Sequence, residues 1–163
     1  MSQLFERLPR WYGRADLIDD FPQQISQNIL NYFSPVDATI TWLDFVAKRI
    51  TFHDATETII GEWAYDEPVG EEFLAKKQKL ESVFSQDRGF NVLVQINTLG
   101  RIRCFLRNGD IAHVRPSGNA PRLRIYAQAR SQMRADAIVR MGVAESDGLL
   151  RELQQLIEGM VVP

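Results

Sequence analysis

The sequence predicts an α+β domain in which antiparallel strands form a sheet and helices cover one of its faces. Three observations carry that expectation. Residues 90–129 alternate apolar and polar side chains around an Asn108-Gly109 turn, and residues 23–33, 70–84 and 133–157 repeat apolar side chains every three or four positions. One side of the alternating segments is apolar and the other is rich in arginine. At 163 residues, 45% hydrophobic and 25% charged, the chain suits one domain with a substantial core and excludes collagen-like, disordered and disulfide-scaffold classes.

The elements follow in order. Residues 1–21 read as an arm, with Leu8-Pro9 and Gly13, leading to a short strand over 14–18. Phe21-Pro22 opens a helix in which Ile25, Ile29, Leu30 and Phe33 share a face, and Ser34-Pro35 stops it. In residues 35–89 the β-branched runs 49–52 and 58–60 flank Asp54-Ala55-Thr56-Glu57 as in a hairpin. Phe73, Leu74, Lys77, Leu80 and Phe84 then mark a helix over 70–84. Strands are expected over 92–96, 101–106, 110–115 and 122–128, with a type I′ turn at Asn108-Gly109, and helices fill 131–163. Period-two alternation puts Ile102, Cys104, Leu106, Ala112, Val114, Leu123, Ile125 and Ala127 under the helices. It puts Arg101, Arg103, Phe105, Arg107, Ile111, His113, Arg115, Arg122, Arg124 and Tyr126 on an open face.

Charge is uneven. Residues 101–140 hold nine arginines, two aspartates and no lysine, a surplus of seven positive charges in a chain whose net charge is −2. A basic region on an acidic body fits a localised anionic ligand better than a nucleic-acid coat, and forked guanidinium groups suit phosphate or carboxylate. Cys104 has no partner thiol and is expected to be a small core residue. No apolar run approaches the length of a membrane span, and the first residues carry no secretory leader, so the expected setting is cytoplasmic.

The chemistry concentrates in Arg115-Pro116-Ser117-Gly118-Asn119-Ala120-Pro121. A strand-end arginine, a hydroxyl and a Gly-Asn pair between two prolines make a stiff turn whose amides can meet an anion. Asn119 can adopt left-handed φ or donate its side-chain amide. The plain alternative is a turn that only joins two strands.

This run and the following Arg122-Leu123-Arg124-Ile125-Tyr126 resemble the phosphate-binding loop and strand of the fourth, C-terminal domain of the α-D-phosphohexomutases, the phosphomannomutase and phosphoglucomutase family. Arg103 falls where that family has the arginine of an Asp-Gly-Leu-Arg strand, and Asn108-Gly109 matches its hairpin. The resemblance covers about 1–34 and 90–140 and makes 35–89 an insertion able to cover or reshape the cleft. Gln128 stands where a glutamate is usual.

What the resemblance implies is a TATA-binding-protein-like fold, a mostly antiparallel sheet with helices on one face. Its loop holds the non-reacting phosphate of a hexose phosphate during intramolecular phosphoryl transfer. Arg115 is expected to make the charged contact, Ser117 a hydroxyl contact, and Gly118 and Asn119 backbone or amide contacts, with Arg103 and Arg124 supporting the field. The family's phosphoserine, magnesium and sugar loops are missing from this sequence. No catalytic residue, metal ligand or cofactor site is therefore expected in this chain, magnesium belonging to the complete enzyme, and the chain alone is expected to be inactive.

The partners implied are a hexose phosphate and, if the chain is a fragment, the remaining mutase domains; neither nucleic acid nor membrane is expected. Another reading is a stand-alone sensor of sugar phosphates or a protein-interaction module. His53 reads as a turn or surface residue, and His113 either packs or faces the cleft. Asp66, Glu67, Glu71 and Glu72 read as a solvated loop and the acidic first turn of a helix rather than a metal site. Trp11, Trp42 and Trp63 read as core or interface residues, and no row of wedge aromatics is visible beside the arginines.

Overall fold

The structure, a computed structural model, describes residues 10–160. The expected arm before residue 10 lies outside the described residues. In chain order the elements are β1 (Tyr12–Ile18), α1 (Gln23–Phe33), β2 (Trp42–Val46), β3 (Arg49–His53), β4 (Ile59–Ala64), α2 (Pro68–Val83), a 3-10 turn (Gln86–Arg88), β5 (Leu93–Asn97), β6 (Ile102–Leu106), β7 (Ile111–Pro116), β8 (Leu123–Ala129), α3 (Gln132–Val143) and α4 (Leu149–Glu158).

All eight strands join one sheet in the order β1-β8-β7-β6-β5-β2-β3-β4, and every neighbouring pair is antiparallel. The α+β expectation holds, with the helices packed on one face. Alternation explains the sidedness: Ile102, Cys104, Leu106, Ala112, Val114, Leu123, Ile125 and Ala127 are all buried, where they meet Ile29 and Phe33 of α1, Leu80 of α2, Ile138 of α3 and Leu149, Leu150 and Leu153 of α4 in one core. Cys104 is a free, fully buried thiol, and burial pushes its pKa up to about 12, so it acts as a small apolar side chain.

Residues 35–89 continue the same sheet beyond β5. The 49–53 and 59–64 strands pair as a hairpin, closed by Asp54, whose carboxylate accepts hydrogen bonds from the amides of Thr56 and Thr58. Sequence reading assigned no strand to residues 42–46, yet β2 pairs with both β3 and β5 and thereby splices the segment into the sheet. Phe52, Trp63 and Phe73 pack together there, with ring centroids 4.5 Å apart in the tilted Phe52–Trp63 pair and 5.0 Å apart in the edge-to-face Phe52–Phe73 pair.

The β6–β7 turn corrects the expected type I′ geometry. Gly109 has φ 91°, but Asn108 is not left-handed; the Gly109 amide donates to Leu106 O at 2.9 Å and the Leu106 amide to Asp110 O at 3.0 Å. This is a type I turn followed by a left-handed glycine bulge, an arrangement that needs positive φ at one residue only. The turn is stapled to the helical layer by Asp110, almost fully buried, whose carboxylate accepts from Arg134 Nε at 3.2 Å. Arg134 also donates to the carbonyls of Arg88 and Gly89, and Arg88 pairs with Glu152 of α4.

Gly70 is dictated by close approach. A Cβ on Gly70, in the first turn of α2, would lie 1.8 Å from the Ala64 carbonyl oxygen, and a backbone atom cannot rotate away. Gly70→Ala is expected to lower the unfolding free energy by at least about 2 kcal/mol, read from the urea midpoint at unchanged slope; an unchanged midpoint would contradict the packing of α2 on the β4 end.

Candidate functional site

The 115–121 loop leaves the β7–β8 pair at Pro116↔Leu123 and is closed by the Ser117 amide donating to Arg122 O at 3.0 Å and the Arg122 amide to Ala120 O at 2.8 Å. Two bonds tie its far end to the start of α1: the Phe21 amide donates to Pro121 O at 2.8 Å, and Arg122 Nε meets Asp19 Oδ1 at 2.6 Å. Phe21 is fully buried, so the segment entering α1 is anchored and the loop is anchored to it. Beside the loop lies a cleft of about 530 Å³, walled by Arg115, Pro116, Ser117 and Gly118 on one side, by the Gln23, Gln24 and Gln27 face of α1 on the other, and by Gly100 of the β5–β6 turn.

The groups in this cleft are unspent. Arg115 is exposed and has no carboxylate partner among the described residues. The amides of Gly118 and Asn119 have no acceptor among the described residues, while that of Ser117 is used to close the loop. Ser117 Oγ stands 3.5 Å from Asn119 Oδ1, at the outer limit of a hydrogen bond, so the hydroxyl is available to a better acceptor. A Cβ on Gly118 would meet nothing within 4 Å, and neither Gly118 nor Asn119 takes positive φ. Left-handed geometry at Asn119 is thus not used. The glycine is required neither by φ nor by packing, which leaves access to its amide as its consequence.

The structure brings Arg115, Ser117 and Gly118 to one cleft, with Asn119 at the exposed tip of the loop. Arg124 sits directly opposite Arg115 on the neighbouring strand. Arg103 instead lines a separate cavity of about 200 Å³ on the open sheet face, with Trp11, Gly13, Ile111, His113, Tyr126, Ala127 and Gln128. Residues 35–89 line neither space. Sequence reading missed Gln23, Gln24, Gln27 and Gly100, although the polar stripe of α1 opposite Ile25 and Ile29 already marked a face not meant for the core.

The open face carries aromatics among its arginines, as the alternation of β6, β7 and β8 implied, and the contacts between them form across strands. His113 stacks on Tyr126 at 5.0 Å, Trp42 meets Phe105 at 5.5 Å, and the Arg103 guanidinium lies 5.2 Å from the Phe105 ring. Burial, and then Arg101, Arg103 and Arg115, hold the His113 pKa down to about 4. Burial, and then Arg101, hold Arg103 below the usual guanidinium range.

The other candidates have ordinary roles. His53 Nε2 lies 3.3 Å from Asp44 inside the β2–β3 pair. Glu67 accepts from the Ala64 amide, and Glu72 pairs with Lys76. Among the described residues no three His, Cys, Asp or Glu side chains gather as metal ligands. No helix among them is long and apolar enough to cross a membrane.

No family model matches the chain. A 58-residue stretch, 34% of this chain, is 45% identical to part of a phosphomannomutase of Salmonella muenchen. The likeness points to the phosphohexomutase family and to no particular domain of it. It spans 12% of that enzyme.

The His113 shift makes a signed prediction. With a folded pKa near 4 and an unfolded value near 6.5, the unfolded chain binds more protons between those limits, so stability falls as pH drops from about 6.5 to about 4. Ring NMR is expected to show His113 neutral down to about pH 5, and His113→Gln is expected to flatten the stability slope in that window; a titration midpoint at 6.5 would contradict the buried, arginine-flanked placement.

Proposed function

We propose that the Arg115–Asn119 loop seats the phosphate of a hexose phosphate, and that the chain acts as the C-terminal phosphosugar-binding domain of a phosphomannomutase- or phosphoglucomutase-like enzyme. The observation that carries this reading is a guanidinium and two backbone amides without partners among the described residues, beside a weakly held hydroxyl, in one anchored loop. Arg115 supplies charge and a forked donor, Ser117 a hydroxyl, and Gly118 and Asn119 amides, the combination that oxyanion recognition needs. Support also comes from the phosphomannomutase likeness and from the loop's resemblance to the family's phosphate-binding loop.

In such an enzyme this domain holds the phosphate that does not react. Remote binding of that kind lowers the barrier by fixing the substrate relative to groups supplied elsewhere. The nucleophile and the metal belong to those other parts, so the chain alone is expected to yield no mutase product. The alternative, a stand-alone sugar-phosphate sensor, uses the same loop and differs in what adjoins it.

A few charge-assisted hydrogen bonds of about 1.5–3 kcal/mol each, less the cost of association, leave roughly millimolar affinity for the isolated chain. In an amide NMR titration with mannose 6-phosphate or glucose 6-phosphate, residues 115–119 are expected to shift first, and the unphosphorylated hexoses to leave them unmoved. Arg115→Ala is expected to abolish the shifts without altering the urea midpoint. Gly118→Ala, with room for its methyl group and no left-handed φ to lose, is expected to keep or raise stability by about 0.4–1 kcal/mol while weakening binding severalfold. Shifts confined to other residues, or full affinity in Gly118→Ala, would overturn the assignment.

A further inference from the structure

We propose a second phosphate seat, separate from the loop, in the open-face cavity bounded by Trp11, Arg103, His113, Tyr126 and Gln128, where a small phosphate monoester binds. The cavity holds about 200 Å³, below the usual 300–1,000 Å³ of drug-sized sites, so it suits a compact metabolite and not a nucleotide. Its walls are complementary to such a ligand. The indole of Trp11 and the stacked His113–Tyr126 pair give flat apolar surfaces, and Arg103 and the Gln128 amide give donors.

The Arg103 charge in this cavity has no carboxylate partner among the described residues. Arg103 lies directly across from His113, and His113 directly across from Tyr126, on three adjacent strands. Arg103 Nε and His113 Nε2, both from residues that line the cavity, are buried without a hydrogen-bond partner. Buried polar atoms left without a partner are uncommon in folded proteins, and a phosphate entering the cavity sets its negative charge beside the Arg103 guanidinium, engaging it through the terminal nitrogens. Among the described residues no carboxylate lines the cavity. The groups facing His113 are Arg101 of the β5–β6 turn, Arg103 of β6, Arg115 of its own strand, and Arg124 and Tyr126 of β8, while β1 presents Gly13 and Ala15. Asp44, the acid on this face in β2, is engaged with His53.

His113 makes the seat measurable, because an anion beside it offsets the arginines that hold its proton affinity down. The experiment follows the His113 ring and the backbone amides together by NMR on the full chain, titrating inorganic phosphate against chloride at matched ionic strength. Phosphate is expected to raise the His113 titration midpoint by a unit or more, and chloride to leave it within a few tenths. Arg103→Gln is expected to remove that rise while the 117–119 amides still respond, and Arg115→Ala to do the reverse. Arg103→Lys, which keeps the charge and guards against a folding defect, is expected to retain part of the rise.

A midpoint unmoved by phosphate, or moved equally by chloride, would overturn the second seat. So would loss of both responses in either single variant, which would mean one shared site, or steeply salt-dependent binding of a single-stranded oligonucleotide in place of phosphate. A His113 response with silent loop amides would instead sink the loop reading and leave this one standing.

Discussion

Strict alternation across a one-sided sheet is the constraint on which the rest of the molecule depends. Strands β6, β7 and β8 must bury their apolar residues against the helices, because leaving one Leu or Ile side chain in water forgoes about 1.5–3 kcal/mol. Once Ile102, Cys104, Leu106, Ala112, Val114, Leu123 and Ile125 are buried, the residues between them have no choice of side. Arg103, His113, Arg115, Arg124 and Tyr126 therefore converge on the other face, drawn from three strands that are adjacent in space. The positive field is a by-product of core packing in its placement, and a product of sequence in its strength.

The loop inherits its position from the same sheet and its rigidity from its neighbours. Pro116 and Pro121 restrict the chain at both ends, and the Phe21–Pro121 and Asp19–Arg122 contacts fasten it to the segment that starts α1. This is preorganisation in the ordinary thermodynamic sense: the ordering cost of the loop is met in folding, so less remains to be met on binding. The helix opposite contributes uncharged glutamines, so the cleft has donors and acceptors for hydroxyl groups without a carboxylate to repel a phosphate.

Much of this was legible in the sequence, for physical reasons that also explain the misses. Strands β5 to β8, α1 and the sidedness of the arginines follow from short-range periodicity, which reads well when one face is buried. Helix α1 ends at Phe33 because Pro35 follows closely, and its start at Gln23 follows Phe21-Pro22. Strand β2 was not legible because Trp42-Leu43-Asp44-Phe45-Val46 becomes a strand by pairing with partners on both sides, a nonlocal gain that no window reveals. The hairpin at Asn108-Gly109 was located correctly but given the wrong geometry, since three loop residues, not two, separate its paired strands. Of the loop residues, Arg115, Ser117 and Gly118 were legible from the motif; the wall facing them belongs to a helix some 90 residues earlier, and only the fold joins them. Arg103, grouped in the sequence with the loop, turned out to line a different cavity.

The central claim is that one rigid bend beside one guanidinium holds a sugar's phosphate. A crystal structure of the chain soaked with mannose 6-phosphate tests it most directly. Phosphate density is expected within hydrogen-bonding reach of the Arg115 guanidinium, the Ser117 hydroxyl and the Gly118 amide, with the hexose lying along Gln23 and Gln27. A loop unchanged and empty while the phosphate group is ordered at an unrelated surface would contradict it.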